Sequence, residues 1–341
     1  MYSQRRGGGR KAARTLAHAP EKRTTARRKG LHRRDHRRQR QFLRHGARAV
    51  YQTLAEVIRT SPPPFRVRGP HTPGRPPTDP REVARFLLLK ALHGWSFDET
   101  YAQLEALPDL RQLLDVQHLP ASSTVANLVP RAPVGWLERA IHQTALRLSR
   151  GRVNAAGDAT GEGTRQYQRW FDVRHGKESR RQRFVKLHVL LATRARMPYF
   201  LAARVTKATR NESPELPALL DQLGSDLEVG NLVLDAGYMS RRNATLIVER
   251  GGVPVIDLKA NVTHALAQGH PAWKAMVQRQ RGDRRAHRCR YRRRTVVEGT
   301  FGALKARFGV RVKARRRHAQ RVELLSRVLA WNILALVYHR R

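Results

Sequence analysis

Cysteine and long hydrophobic runs are nearly missing from this 341-residue chain. Cys289 is the only cysteine, which excludes an internal disulfide and a zinc site built from cysteines and fits a reducing, cytosolic setting. No apolar stretch follows the Arg pair of SQRRGGG near the start, so export is not expected. The segment VLAWNILALVY at 328–338 is too short to span a bilayer and contains Asn332. It therefore predicts a buried helix and no membrane contact.

Acidic side chains are also scarce. The chain has 26 Asp and Glu against 68 Lys and Arg, which gives a formal net charge of +42. Such a charge holds polyanions by displacing their counterions, so nucleic acid is the expected partner. We therefore expect a cytoplasmic protein that associates with the nucleoid.

Composition divides the chain into four segments. Residues 1–60 are rich in Lys and Arg and poor in acids, which predicts a basic, largely disordered arm. A proline-rich linker follows at 61–78. Capping residues and amphipathic spacing then predict a small all-helical domain at 79–150. Strand patterns begin after it and define a second domain at 151–341.

The second domain alternates between strand and helix patterns. Three strand patterns come in succession, and two more are each preceded by a helical pattern at 214–224 and 241–251. The predicted strands are 152–161, 167–173, 184–193, 231–237 and 253–259. Three consecutive strands followed by helix–strand–helix–strand indicate an α/β fold, with a mixed five-stranded sheet and flanking helices.

One carboxylate stands in the most basic part of the chain. Residues 281–321 contain sixteen Lys or Arg and only two acids, of which Glu298 lies in the middle. If 291–308 is helical, a rotation of about 100° per residue brings four polar side chains within a wedge of about 60°: Tyr291, Arg294, Glu298 and Lys305. An apolar stripe beside that wedge predicts burial of the helix against the sheet, and it consists of Val297, Phe301, Leu304 and Phe308.

Two further acids are candidate partners of Glu298. Asp158 lies in the first predicted strand, and Asp235 lies at the C-terminal end of the fourth, before a glycine turn. Carboxylates at adjacent strand ends repel each other, and a divalent cation such as Mg²⁺ removes that conflict. Two such ions can activate a water and stabilise the leaving oxygen of a phosphodiester. On this hypothesis the basic surroundings hold DNA, and the acids hold the metal.

Three motifs resemble the signature regions of DDE-type insertion-sequence transposases. They are GDATG at 157–161, LDAGYMS at 234–240 and YRRRTVVEGTFGALK at 291–305. The third matches the Tyr–Arg–Glu–Lys signature of the family-five and family-four-like group at all four positions. The resemblance covers roughly residues 80–340. The short segment 260–290 leaves no room for a large inserted β domain, which favours the compact, family-five-like arrangement.

This resemblance implies an RNase H-like catalytic domain that follows a DNA-binding helical domain. It implies two Mg²⁺ ions, for which Mn²⁺ is expected to substitute, held by the catalytic acids Asp158, Asp235 and Glu298. It implies contacts with DNA phosphates by Tyr291, Arg294 and Lys305. The expected activity is binding of the element's terminal inverted repeats, strand cleavage, and strand transfer to target DNA. The DNA-bound protein is expected to be a homodimer.

Two alternatives remain open from the sequence. One is a remnant transposase that only binds DNA, and the other is a basic RNA-associated structural protein. Composition fits all of these classes. The three acids discriminate, because a protein that only binds nucleic acid has no use for carboxylates in a basic channel. Glu162 is expected to be structural, and His188 is expected to be a packed histidine.

Overall fold

A five-stranded mixed sheet carries most of the candidate site residues. The computed structural model describes residues 46–65, 78–149, 151–164, 184–259, 262 and 270–340. The strands of this part are β1 (Val153–Gly163), β2 (Phe184–Ala192), β3 (Phe200–Lys207), β4 (Val229–Leu234) and β5 (Val253–Ile256). Their order across the sheet is β3-β2-β1-β4-β5, with β2 antiparallel to both neighbours and β1, β4 and β5 parallel. Since β3 also runs in the direction of β1, four strands end at the same edge.

The helices flank this sheet. In the described residues they are α1 (46–60), α2 (Pro80–His93), α3 (Phe97–Ala106), α4 (Pro108–Leu113), α5 (Ser122–Leu128), α6 (Val134–Leu148), α7 (Leu216–Asp221), α8 (Arg241–Glu249), α9 (Pro271–Gly282), α10 (Arg284–Tyr291), α11 (Thr295–Phe308) and α12 (Arg317–His339). The strand order and the flanking helices are those of the RNase H-like fold, which confirms the predicted fold class.

One strand differs from its prediction. The segment 167–173, predicted as the second strand, lies outside the described residues, and sequence patterns predict no strand at Phe200–Lys207. The first four residues of β3 are all buried, so the in–out alternation that marks a strand is missing there. A short, continuous apolar run does not distinguish a covered strand from a helix.

The basic arm ends earlier than its composition indicates. Residues 46–60, predicted to belong to the disordered arm, form the helix α1. Its apolar side chains recur at helical spacing and are at most 4% exposed: Val50, Leu54, Val57 and Ile58. Glu56 of this helix pairs with Arg147 of α6 at 3.3 Å. Residues 1–45 of the predicted arm, and 66–77 of the predicted linker, lie outside the described part of the chain.

At the predicted domain boundary near residue 150 the secondary structure changes from helices to strands, but the chain does not divide into two compact units there. One unit spans Gly46–Arg341, and the other, Met1–His45, lies outside the described residues. Helix α6 packs against both α12 and β3. The buried Asn332 of α12 joins them: its amide donates to Thr144 Oγ1 at 3.0 Å and to the Phe200 carbonyl at 2.8 Å. The helical layer and the sheet therefore share a core.

The apolar segment 328–338 is confirmed as part of a buried helix. It belongs to α12, which is long and apolar enough to cross a membrane by length and composition alone. However, 83% of the apolar stretch of this helix is buried inside the protein. Among the described residues, α12 is the helix that passes this test, and its burial is that of a core helix.

Candidate active site

The pairing of β1 with β4 brings two of the predicted acids together. Gly157 of β1 is the register partner of Leu234, the last residue of β4. Asp158 and Asp235 are the next residues on these two adjacent, parallel strands. They therefore lie side by side at the point where β4 ends and β1 continues. Both stand where the strand patterns place them.

Gly157 permits the close approach of these strands. A Cβ atom at this position would lie 2.6 Å from Leu234 Cδ2 and 2.8 Å from Leu190 Cδ2, both well inside van der Waals contact. Any side chain here would have to displace the buried Leu234 and Leu190 side chains, next to Asp158 and Asp235. Packing thus explains the glycine that precedes Asp158 in the GDATG motif.

The signature segment 291–308 is not the single helix that the sequence predicts. Helix α10 ends at Tyr291, a 3₁₀ turn covers Arg292–Arg294, and α11 begins at Thr295. The reason is that α10 buries no side chain, whereas the predicted apolar stripe of α11 is buried. Helix α10 contacts the ends of β4 and β5 without burying a side chain, and the tighter turn joins it to the buried α11.

The Arg294 guanidinium contacts all three predicted acids. Its Nη2 donates to Asp158 Oδ2 at 3.0 Å and lies 3.7 Å from Asp235 Oδ2. Its Nη1 donates to Glu298 Oε1 at 2.9 Å, one helical turn along the chain. Three carboxylates from two strands and a helix thus converge on one positive group.

Tyr291 and Lys305 lie on either side of this cluster. The Tyr291 hydroxyl donates to Asp235 Oδ1 at 3.3 Å. The Lys305 ammonium donates to Thr160 Oγ1 at 2.7 Å and to the Gly161 carbonyl at 3.0 Å, further along β1. The four residues of the signature therefore lie along the part of β1 that extends past the end of β4, where the edge of β1 is exposed. The phosphate contacts predicted for these two residues and for the arginine stay predictions.

A fourth acid, to which sequence patterns assign no role, joins the two aspartates. One carboxylate oxygen each from Asp158, Glu212 and Asp235 lie within 4.8 Å of one another. Glu298 is not a member of this group. Its side chain is 55% exposed, and it reaches Asp158 through Arg294. Glu212 follows β3, so only a correct assignment of that strand would have brought it to this edge.

The charges of the site favour a bound cation. Burial raises the pKa of the Asp158 carboxyl, the Ala159 amide and Arg294 oppose the rise, and Asp235 and Glu212 add to it. Burial disfavours the charged form of Arg294, but the neighbouring carboxylates outweigh it and raise the pKa of the guanidinium. A positive charge is thus stabilised here, and burial together with the neighbouring acids disfavours the charged form of the Asp158 carboxyl.

Two polar residues near the site are buried as expected. Glu162 of β1 is 1% exposed and lies 3.7 Å from Lys305 Nζ. The His188 ring of β2 is fully buried, and its Nε2 lies 2.9 Å from Thr206 Oγ1. Burial lowers the pKa of His188 to about 4, so this ring is neutral at physiological pH. Neither residue is a member of the acid group formed by Asp158, Glu212 and Asp235.

The surface beside the acids is strongly basic. No acid occurs in the sequence between Asp283 and Glu298. The arginines of α10 and of the following turn that are exposed are Arg284, Arg285, Arg288, Arg290, Arg292 and Arg293. A polyanion is attracted to such a surface and brought next to the carboxylates.

The acid group suits a hard divalent cation. Its members offer carboxylate oxygens and no nitrogen or sulfur. Mg²⁺ binds through a few carboxylates, retains several waters and accepts phosphate oxygens of a substrate. The residues present therefore fit a cation of this class.

A family model and a solved structure match this chain. A family model described as "Transposase DDE domain" matches residues 152–333, more than half of the chain. A similar solved structure is the "Cryo-EM structure of piggyBac transposase synaptic complex with hairpin DNA (SNHP)". It has 13% sequence identity and a TM-score of 0.42, and the match covers 86% of this chain and 72% of that chain. No curated protein matches this chain. The range matched by the family model contains Asp158, Glu212, Asp235 and Glu298.

Proposed function

This chain belongs to the family of transposases with a DDE domain, and from that premise we propose that it acts on the ends of its own insertion sequence. It binds the terminal inverted repeats, cuts the DNA strands there by hydrolysis, and joins the resulting 3′-hydroxyls to target DNA by transesterification. Divalent metals are the cofactors of this family, and we propose Mg²⁺ for this member, with Mn²⁺ as a substitute.

One observation carries the proposal. Asp158, Asp235 and Glu298 converge on a single cationic group at the edge of a basic surface. Carboxylates this close repel one another, which destabilises the fold unless a positive charge compensates them. A protein that only binds a polyanion gains nothing from such a cluster, since the acids also repel phosphates. A site that must hold a metal next to DNA requires it.

We propose that Asp158, Asp235 and Glu298 are the metal ligands of the reaction. When bound, two such ions activate the attacking oxygen and stabilise the leaving oxygen. The same carboxylates hold Arg294 in the protein without DNA. If a cation took over these carboxylates, the Arg294 guanidinium would be free to contact a DNA phosphate beside the scissile bond.

Three side chains of the Tyr–Arg–Glu–Lys signature position the DNA on this proposal. Arg294 offers a planar pair of donors that matches two phosphate oxygens, and Lys305 offers a compact charge further along β1. Tyr291 provides a hydroxyl at the end of β4. Contacts of this kind fix the position of the backbone and do not read the base sequence. We therefore propose that these three side chains hold the phosphates next to the cut.

Recognition of the element's ends is proposed for the part of the chain before β1. The helices α1 to α6 and the basic residues 1–45 supply it, with phosphate contacts providing much of the affinity. The DNA-bound species is proposed to be a homodimer that acts in the cytoplasm, at the nucleoid. We propose the compact, family-five-like arrangement, because the described residues between β5 and α11 include the helices α9 and α10 and no strand.

Cleavage of end DNA tests this function. Purified protein is incubated with a labelled duplex that carries one element end and its flank, together with Mg²⁺ and a target plasmid. We expect a cut at the element terminus that exposes a 3′-hydroxyl, followed by a product joined to the plasmid. A duplex with a scrambled terminal repeat is the control. Tight binding without any cut would support the remnant DNA binder, and equal cutting of both duplexes would exclude a transposase in favour of a general nuclease.

A further inference from the structure

Glu212 lies outside the three-acid signature, yet its carboxylate joins the two aspartates. We propose that Glu212, Asp158 and Asp235 form a cation site that is complete before DNA binds and that does not require Glu298. The use of the cation in DNA cleavage rests on the proposed function. The binding of the cation is a property of the free protein and can be measured without any cleavage.

Two short turns hold Glu212 beside Asp235. One is the 3₁₀ turn Ser213–Glu215, directly after Glu212, and the other is the 3₁₀ turn Ala236–Tyr238, directly after Asp235. The buried Asn243 of α8 ties them together: its Nδ2 donates to the Ser213 carbonyl at 3.1 Å and to the Tyr238 carbonyl at 2.7 Å. The two acids are therefore positioned by a shared backbone clamp and not by flexible loops.

The glycine of the second turn makes room for the Glu212 carboxylate. A Cβ atom at Gly237 would lie 2.2 Å from Glu212 Oε2. The carboxylate thus rests directly on the backbone of the turn that follows Asp235. Any side chain at Gly237 would displace the end of the Glu212 side chain, which is flexible, while leaving the backbone in place. This contact offers a way to move the carboxylate without removing it.

A buried hydroxyl supplies an independent sign of a ligand. Tyr238 is fully buried, and its hydroxyl has no hydrogen-bond partner in the described part of the protein. Burial raises the pKa of this phenol, and the nearby Glu212 and Asp158 carboxylates add to the rise. Buried polar groups without partners are rare and costly. This hydroxyl lies in the electrostatic field of Glu212 and Asp158, two members of the acid group.

The alternative role for Glu212 is a structural ion pair. Lys186 of β2 lies 3.5 Å from Glu212 Oε1 and also donates to the Arg210 carbonyl at 3.1 Å. If Glu212 is a cation ligand, Lys186 competes with the cation for the Glu212 carboxylate. Removal of this lysine then strengthens cation binding. If Glu212 serves only the ion pair, the loss of either partner lowers stability similarly and leaves cation binding unchanged.

Titration of Mn²⁺ into the full chain without DNA tests the proposal, with free Mn²⁺ followed by electron paramagnetic resonance. We expect the wild type to bind Mn²⁺. Glu212→Gln should weaken binding about tenfold or more, because even residues that only support metal ligands cost about that much. Gly237→Ala should weaken Mn²⁺ binding by a similar factor, because it displaces the Glu212 carboxylate while every acid is retained. Glu298→Gln should change it little, and Lys186→Met should tighten it. Thermal unfolding without Mn²⁺ checks that each variant folds.

Two results would overturn this inference. One is wild-type protein that binds no Mn²⁺ until DNA is added. The other is Glu298→Gln protein that loses Mn²⁺ binding while the Glu212→Gln and Gly237→Ala variants retain it. If Glu212→Gln does not fold, Gly237→Ala decides the question alone. Either failure leaves the proposed function standing, since cleavage of end DNA by the wild type is measured separately.

Discussion

Asp235→Asn is expected to abolish cleavage of end DNA while DNA binding stays nearly unchanged. Asparagine keeps the volume of the side chain and removes the negative charge that both Arg294 and a divalent cation require. A loss of several kcal/mol of transition-state stabilisation corresponds to a rate reduction of about a thousandfold or more. The rate is measured in single turnovers with Mg²⁺ at saturating protein, and the affinity is measured by titration of the same DNA.

Asp257→Asn is the matched control. This carboxylate directly follows β5 at the same edge of the sheet and accepts a hydrogen bond from the Leu258 amide at 3.1 Å. It is not a member of the acid group formed by Asp158, Glu212 and Asp235. We expect the control to cut at nearly the wild-type rate. A wild-type rate for Asp235→Asn, or equal losses in both variants, would remove Asp235 from the catalytic site.

Arg294→Lys is expected to lower the cleavage rate on the order of a hundredfold, the effect of misplacing a reacting group by about 1 Å. Lysine preserves the positive charge. However, its single ammonium cannot replace the two guanidinium nitrogens, which contact Asp158 and Glu298 separately. Overall DNA affinity should change little, because many other positive charges remain on this surface. Single-turnover cleavage and a binding titration on the same duplex separate the two effects.

Arg292→Lys controls for the loss of any arginine in this region. Arg292 belongs to the same 3₁₀ turn as Arg294, its side chain is exposed, and the structure shows no ion pair between it and the site acids. Its substitution should leave the cleavage rate close to that of the wild type. Equal rates for the two lysine variants would contradict a special role for the Arg294 fork.

Much of the fold and two of the site acids could be predicted from the sequence. Strand patterns predict β1 and β4, so the positions of Asp158 within β1 and of Asp235 at the end of β4 were predicted correctly. The apolar stripe of α11 has a helical period, which placed Glu298 one turn after Arg294. These features depend on short-range periodicity, which a single sequence displays directly.

Features that depend on tertiary packing could not be predicted. The first half of the strand β3 is fully buried, so its sequence lacks the alternation of buried and exposed residues that marks a strand. The position of Glu212 at the sheet edge, directly after this strand, could therefore not be predicted. Helix α1 lies next to a run of basic residues, and its apolar side chains are buried only once the protein has folded. The 3₁₀ turn at Arg292–Arg294 separates the buried α11 from α10, which has no fully buried side chain. Long-range contacts decide all three.

The position of the cation can be mapped directly on the polypeptide. Fe²⁺ replaces Mg²⁺ in the free protein, and ascorbate with peroxide then generates hydroxyl radicals that cut the chain next to the bound ion. We expect cuts near Asp158, Glu212 and Asp235, suppressed by excess Mg²⁺ and absent from the Asp158→Asn and Asp235→Asn variants. Cuts at other positions, or the same cuts in Asp235→Asn protein, would contradict a metal site at the edge where β4 ends beside β1.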